Sequence, residues 1–479
     1  MRRIRLVRMA LLMVALLSPT SLVSAQSDSS AQKNGLLVDY VTLHSIIIDG
    51  NRKTKPQIIL RELTFFVDDT ITLPDLTVKM EESRNNLMNT GLFNEVVINI
   101  KNWVGTSIDI NITVKERWYT FPVPSVDLYD RNLNVWWAEH NHNIKWLQYG
   151  MRFYQHNVRG RDEDLKLAVL FGYSQQYQVQ YNIPYINARQ NIGLRFNTSY
   201  NRSKNITYGF ANNKDLVHQD VDEFQRRTFS ILTDLVYKPA YYNRYVFTLS
   251  YNDNKISNTA ALLNPNYFLN GQTHQRYITA QATFIRDHRD IAAYPLKGSY
   301  FEITLSKLGI GLFDNVNVIS GSTRFDQYIP FGKNWFVSSQ NKIKLSLPRT
   351  QPYNLNRGLG YSKDYVSGYE YYVIDGQSFG YTKLDLKNRF LNLRIRTSEN
   401  NPFLKGARIP ITLYGRMFIN AGYVKDDLYF ENNPLNNKLL LGGGLGLDLS
   451  IIYDTTFRFD YAINKLGEHG FYFHVNSFF

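Results

Sequence analysis

SYFEITLSK, residues 299–307, puts Phe301, Ile303 and Leu305 on one side of an extended chain and Tyr300, Glu302, Thr304 and Ser306 on the other. TTFRFDY (455–461) repeats the pattern, with Phe457, Phe459 and Tyr461 set against Thr456, Arg458 and Asp460. In YTKLDLKNRF (381–390), Thr382, Leu384 and Leu386 oppose Tyr381, Lys383, Asp385, Lys387 and Arg389. A period of two with one apolar and one charged face describes a β-strand. It fits a soluble sandwich, whose polar face is outside, and equally a membrane barrel, whose polar face lines water within. Alternation alone leaves both open.

The spacing between such segments separates them. From Phe121 onward strands are expected near 121–128, 147–157, 163–173, 176–184, 190–202, 224–238, 243–253, 275–287, 297–308, 316–328, 334–347, 378–390, 409–424, 438–450, 455–463 and 470–479, sixteen in all. If the first strand starts on the side of the preceding residues, the connections on that side are brief: RGRDE, YINARQ, PAYYN, HRDIAAYPL, IPFGKN and YDT, with RTSENNPFLKGA the longest. The other side collects long loops at about 129–146, 203–223, 254–274 and 348–377. Short turns on one side and long loops on the other are the mark of a membrane barrel.

Composition agrees. The chain has 34 Tyr, is 14% aromatic and has no Cys, so it carries no disulfide, thiolate metal site or lipidated N-terminal Cys. Its mean hydropathy is negative. After the N-terminus no apolar run reaches the roughly 20 residues of a membrane helix, so a spanning chain must do so as a closed barrel. MRRIRLVR, then a short apolar run, then SLVSAQ reads as an export signal over 1–25, cleaved after Ala25. Loss of its four arginines takes the formal net charge from +13 to about +9, a balance suited to an anionic membrane surface rather than to nucleic acid.

Residues 26–39 are polar and read as a flexible lead-in. Between 40 and 118 the expected order is strand, helix, helix, strand, strand. Pro56 opens the first helix, with Ile58, Ile59 and Leu63 on one face; Leu76, Met80, Leu87 and Leu92 mark the second, and Gly91 ends it. The last strand alternates Ile108, Ile110, Ile112 and Val114. IIIDGNRKT, NTGLFNEVVINI and ITVKERW, in this order, resemble the signature pieces of a POTRA domain in the BamA/TamA-type outer-membrane assembly superfamily. HNVRGRDEDLKLAV, IRDHRDIAAYPLKGSYFE and FINAGYV carry the resemblance through residues 119–479. The resemblance implies a transmembrane β-barrel of 16 antiparallel strands preceded by one small periplasmic α/β POTRA domain, in the cell outer membrane. It also makes Asn94, Glu95, Val96, Val97, Ile98 and Asn99 an open sheet edge, which would either receive an added strand or simply be a blunt edge on a spacer.

DYVSGYEYYVIDG (364–376) falls in the sixth long-side loop. In the family this loop folds into the lumen and carries Val-Arg-Gly-Phe/Tyr at its tip, the Arg pairing with an acid of strand 13. Here the matching residues are Val366, Ser367, Gly368 and Tyr369, followed by Glu370, and the strand-13 segment has Phe418, Asn420 and Gly422. Arg and acid are both replaced, so no carboxylate is stranded inside, and a Ser–Asn hydrogen bond would stand in at about 1 kcal/mol. Strand 1 holds Val123 and Val126 and also Pro122 and Pro124, which cannot donate to a ladder. The last strand carries Phe471, Phe473 and Val475 and ends on Phe479, as outer-membrane barrels do. These two strands would form the seam.

No catalytic constellation, cofactor loop or metal spacing stands out; Glu139–Asn143 (EHNHN) reads as a solvated loop, and the glycines of LLLGGGLGLDL (439–449) as room for a bend or a close neighbour. Two functions of different class follow. One is a non-enzymatic factor that inserts or translocates unfolded outer-membrane proteins or secreted polypeptides by strand pairing at the POTRA edge and the seam, with outer-membrane lipid and accessory lipoproteins as candidate partners and no nucleic acid. The other is a channel, or a secretion pore for one dedicated partner.

Overall fold

A computed structural model describes residues 40–128, 144, 147–172, 174–187, 189–220, 222–313, 315–361, 363–396, 408–451 and 455–476. The export-signal reading, the lead-in, the Glu139–Asn143 segment, residues 397–407 and Phe479 lie outside them.

The small domain runs β1 (Tyr40–Asp49), α1 (Pro56–Arg61), β2 (Thr70–Thr72), α2 (Leu73–Asn89), β3 (Phe93–Val104) and β4 (Ser107–Glu116). The sheet order is β2-β1-β4-β3, with β1 parallel to β4 and β3 antiparallel to it. β2 is an addition to the expected order; at three residues it is too short to show a period, and it covers one side of β1. The strictly alternating strand proves central, and Ile108, Ile110, Ile112 and Val114 are all buried. Ile58, Ile59, Leu63, Leu76, Leu87 and Leu92 close over it, while Met80 is only half-buried. Thr72 caps α2 by accepting from the Asp75 amide at 3.3 Å, and Gly91 leaves the helix at φ +73°.

Sixteen strands form the second sheet: β5 (Thr120–Leu128), β6 (Leu147–Val158), β7 (Glu163–Gly172), β8 (Ser174–Ile183), β9 (Ile192–Ser203), β12 (Arg226–Ala240), β13 (Asn243–Ile256), β14 (His274–Asp287), β15 (Gly298–Leu308), β16 (Val318–Phe331), β17 (Trp335–Leu347), β18 (Ser378–Arg396), β19 (Arg408–Lys425), β20 (Leu439–Ser450), β21 (Thr456–Asn464) and β22 (His469–Asn476). They are hydrogen-bonded in chain order from β5 to β22. Which face points inward is decided by exposure: Phe459 is 52% exposed and Asp460 2%. The charged side of the period-two pattern is the buried one, as a barrel requires and a sandwich forbids.

Two of the long loops hold structure that period-two reading passed over. Within 203–223 lies a hairpin, β10 (Asn205–Ala211) and β11 (Lys214–Gln219), separate from the wall. Its turn is Asn212-Asn213, both at positive φ, a tight-hairpin signal present in the sequence. Within 254–274 a one-turn helix, α3 (Asn258–Leu263), starts at Ser257, whose hydroxyl accepts from the Ala260 amide at 3.1 Å.

Candidate functional site

The loop between β17 and β18 is packed against the inner wall. Val366 is 1% exposed and Tyr369 2%, and with Ile374 they join Val424 and Leu440 in one apolar cluster. Asn420 on β19 donates through Nδ2 to the Ser367 hydroxyl at 2.6 Å. Gly368 turns at φ +86°, a region that L side chains avoid. Its amide donates to Glu370 Oε2 at 2.7 Å and its carbonyl accepts from Asn464 Nδ2 at 2.8 Å.

The glycine-rich strand explains the fit. A Cβ on Gly442 would lie 1.8 Å from the Ser367 carbonyl oxygen, and one on Gly422 2.5 Å from Val366 Cγ2. These glycines on β20 and β19 form a trough in the wall for the loop tip. The tyrosines serve the same dock. The rings of Tyr365 and His474 stack with centroids 5.0 Å apart, Tyr371 meets Tyr472 at 5.5 Å, and Tyr372 Oη donates to Glu468 Oε1 at 2.6 Å. Each ring packs while its neighbours meet the polar edge. The tip thus reaches all four of the last strands, β19 to β22.

A second inner feature escaped the sequence reading. Arg416 on β19 donates to Asp385 on β18 at 2.9 Å, pairs with Asp460 on β21, and stands 3.5 Å from Asp448 on β20; Arg458 donates to Asp448 at 3.1 Å. Gly446 makes room, since its Cβ would meet Asp460 Oδ1 at 2.2 Å. The turn between β14 and β15 reaches this cluster, and Tyr294 Oη donates to Asp448 at 2.7 Å. In the same turn Arg289 pairs with Asp287 at 2.6 Å, and Asp290 accepts from the Leu296 amide at 3.0 Å. The only signal in the sequence was charge of both signs at inward positions of neighbouring strands, and register is needed to pair them.

The small domain is fastened to two turns of the barrel. Lys55 N donates to Gly160 O at 3.0 Å, Asn157 Nδ2 to Thr54 Oγ1 at 2.8 Å, and Arg61 to Asp162 at 3.1 Å. A Cβ on Gly160 would lie 2.1 Å from Lys53 O, so the glycine in VRGRD permits the approach. Burial pushes the Asp162 carboxyl up to about 7 against the pull of Arg61. Asn89 at the end of α2 donates to Asp290 O at 3.1 Å. In the small domain β3, which carries Asn94 to Asn99, is the end strand of its sheet.

The two ends of the large sheet are β5 and β22, and among the described residues no ladder joins them. Val126 and Val475 face outward, 69% and 51% exposed, as does Phe471, while Phe473 and Val123 are half-buried. The prolines of β5 are oriented by its pairing. His156 N donates to Tyr119 O at 2.7 Å, and the β5–β6 register continues without a bulge from Thr120↔Gln155 to Leu128↔Leu147. Odd-numbered residues of β5 therefore turn their backbone groups toward β6, and even-numbered ones turn theirs away. Pro122 and Pro124 are even-numbered. The donors they lack are donors of the free edge.

Comparison with known proteins bears on the whole chain. A family model described as the Omp85 superfamily domain matches residues 157–479, and one described as POTRA, surface antigen variable number repeat, matches residues 41–117. Among solved structures, BamA from Haemophilus ducreyi lacking POTRA domains 1–3 is 16% identical, with 91% of this chain and 85% of that chain covered and a TM-score of 0.51. CdiB from Escherichia coli is 11% identical over 94% of this chain and 92% of that chain, with a TM-score of 0.48. At these identities the likeness is one of fold. No curated protein matches.

Proposed function

The chain belongs to the Omp85 superfamily, and we propose that it inserts or translocates other polypeptides at the outer membrane by strand pairing. In this reading the small domain lies in the periplasm and the apolar outer face of the wall meets lipid. An unfolded outer-membrane or secreted polypeptide pairs first with the side of β3 that has no ladder among the described residues and then enters between β5 and β22.

The observation that carries the reading is the free edge of β5. Two of its outward-turned donors are absent at Pro122 and Pro124, so a closed seam forgoes two hydrogen bonds that an ordinary ladder would have. A seam held this weakly opens at least cost. The docked loop also argues against a simple channel, because its tip covers part of the inner surface of the last four strands.

A disulfide tests the reading, and the absence of native Cys makes it clean. Val126→Cys is combined in turn with Cys at Phe471, Phe473 and Val475, and the combination that crosslinks is identified by gel mobility. The locked protein is expected to lose insertion of an unfolded barrel substrate into liposomes, and reduction to restore it. Full activity with a verified crosslink would favour the channel.

A further inference from the structure

The contacts of the loop tip are not spread evenly over the wall. On β19 the tip makes a neutral hydrogen bond, Asn420 to Ser367 at 2.6 Å, and on β21 another, Asn464 to the Gly368 carbonyl at 2.8 Å. Its acidic side chain goes to β22. Glu370 Oε1 lies 3.6 Å from His474 Nε2, with 2% and 16% of the respective side chains exposed. We propose that the tip of the 348–377 loop is the clasp of the last strand, with Glu370 and His474 as the positioning pair that sets how easily β22 leaves the wall. The inference rests on the strand-pairing reading above and names the regulation of its seam.

Three features make the pair a built contact rather than a chance neighbour. The Gly368 amide, donating to Glu370 Oε2 at 2.7 Å, fixes the carboxylate so that its other oxygen points at β22. That amide is in place only because Gly368 turns at φ +86°. On its other side the imidazole is stacked on Tyr365, with centroids 5.0 Å apart and planes 16° from parallel. His474 is thus held between two residues of one loop. At 3.6 Å the carboxylate and imidazole meet as close neighbours short of a hydrogen bond, in a site too dry for water to screen them as it would on a surface.

The other described ring contacts of β22 are mostly with its neighbour β21, as in Phe473 on Phe459 and Phe471 on Tyr461. β22 is the end of the sheet, paired with β21 from Thr456↔Asn476 to Ile463↔His469 and, among the described residues, with nothing on its other side. Lifting the tip therefore removes Glu370 and Tyr365 from His474 and the Tyr371 ring from Tyr472, and among the described residues leaves β22 its ladder to β21 and the packing of Tyr472 on Phe418 and Ala462. The loop is anchored elsewhere too: Lys342 donates to Asp364 at 2.6 Å and Tyr361 to Asp375 at 3.0 Å. The tip can release β22 while the loop remains inside.

Hydrogen exchange of the full chain in lipid nanodiscs tests this without any substrate. Amides of β22 are expected to exchange about tenfold faster in Glu370→Gln and in His474→Leu than in the parent. His474→Arg, which offers Glu370 donors and Tyr365 a flat face, is expected to stay near the parent. Amides of β13, measured in the same samples, separate local release from a failure to fold; if Glu370→Gln fails to fold, His474→Leu against His474→Arg decides alone. Equal β22 exchange in the parent, His474→Leu and His474→Arg would overturn the clasp even if the seam disulfide abolishes insertion. Faster exchange with an inert seam disulfide would keep the clasp and overturn the strand-pairing reading.

Discussion

From β19 to β22 the inner surface is shaped to its occupant: glycines 422 and 442 admit the loop backbone, Asn420 and Asn464 bond to it, and rings on both sides interlock. At the free side of β5 the sequence does the reverse, with Pro122 and Pro124 where donors would be needed for a full ladder. Both regions border the same seam. One is rich in specific contacts and the other is short of the most general contact a strand can make. In the proposed reading the difference locates movement: a wall braced from inside and under-bonded at one edge is expected to part at that edge before it deforms elsewhere.

The braced side is the easier to break. Asn420→Asp places a carboxylate beside Ser367 at a site where Asn420 is 2% exposed, and the cation across the ladder, Lys383, is already turned to the Lys363 carbonyl and the Tyr365 ring. A buried charge this poorly compensated costs up to roughly 3–5 kcal/mol. The expected outcome is loss of the loop dock, seen as a large fall in the temperature at which the folded band unfolds on semi-native gels. Ser367→Ala removes one hydrogen bond and should cost only about 1 kcal/mol. Equal and negligible effects would mean that the tip is not held through this pair.

How much of this contrast was legible in the sequence depends on what carried it. Period-two segments such as SYFEITLSK and TTFRFDY have their inward and outward faces written into every second residue, so strands and loops were readable almost throughout. The tip could be placed by the Val366, Gly368, Tyr369 pattern and its partner by Asn420. Pairings that depend on register were not readable. The Arg416 cluster draws on four strands, and Glu370 meets a histidine more than 100 residues away. Neither leaves a local trace. The direction of the missing proline donors is of the same kind. Their shared parity was visible, but only the Tyr119–His156 hydrogen bond says which neighbour loses them.

The under-bonded side can be sharpened by repair. Pro122→Thr with Pro124→Thr returns two donors to the free edge of β5 without touching the pairing to β6. Each hydrogen bond is worth about 0.5–1.5 kcal/mol net, so a closed seam should become tighter by about 1–3 kcal/mol. Insertion of an unfolded barrel into liposomes should slow several-fold, while the heat resistance of the folded band rises slightly. Unchanged insertion with a verified fold would mean that the seam ladder does not limit the rate.

The smallest expected effect lies at the other end of the molecule, where the small domain meets the β6–β7 turn. Docked, Asp162 is pushed up to about 7 because burial disfavours its charge more than Arg61 restores it. A released turn would return it to the ordinary value of about 3.9. Below roughly pH 4 the carboxyl is protonated in both states and docking feels no pH. Between about 4 and 7 only the docked form holds the proton, so docking weakens as pH rises, and above about 7 it carries the full cost of a buried charge. Spin labels at Lys101→Cys and Arg189→Cys, in the small domain and the β8–β9 turn, are expected to show a broader distance distribution at pH 8 than at pH 5.5. Asp162→Asn has no charge to bury, so its distribution should stay narrow at both. A parent protein with the same distribution at both pH values would place the weak point of the molecule at the seam alone.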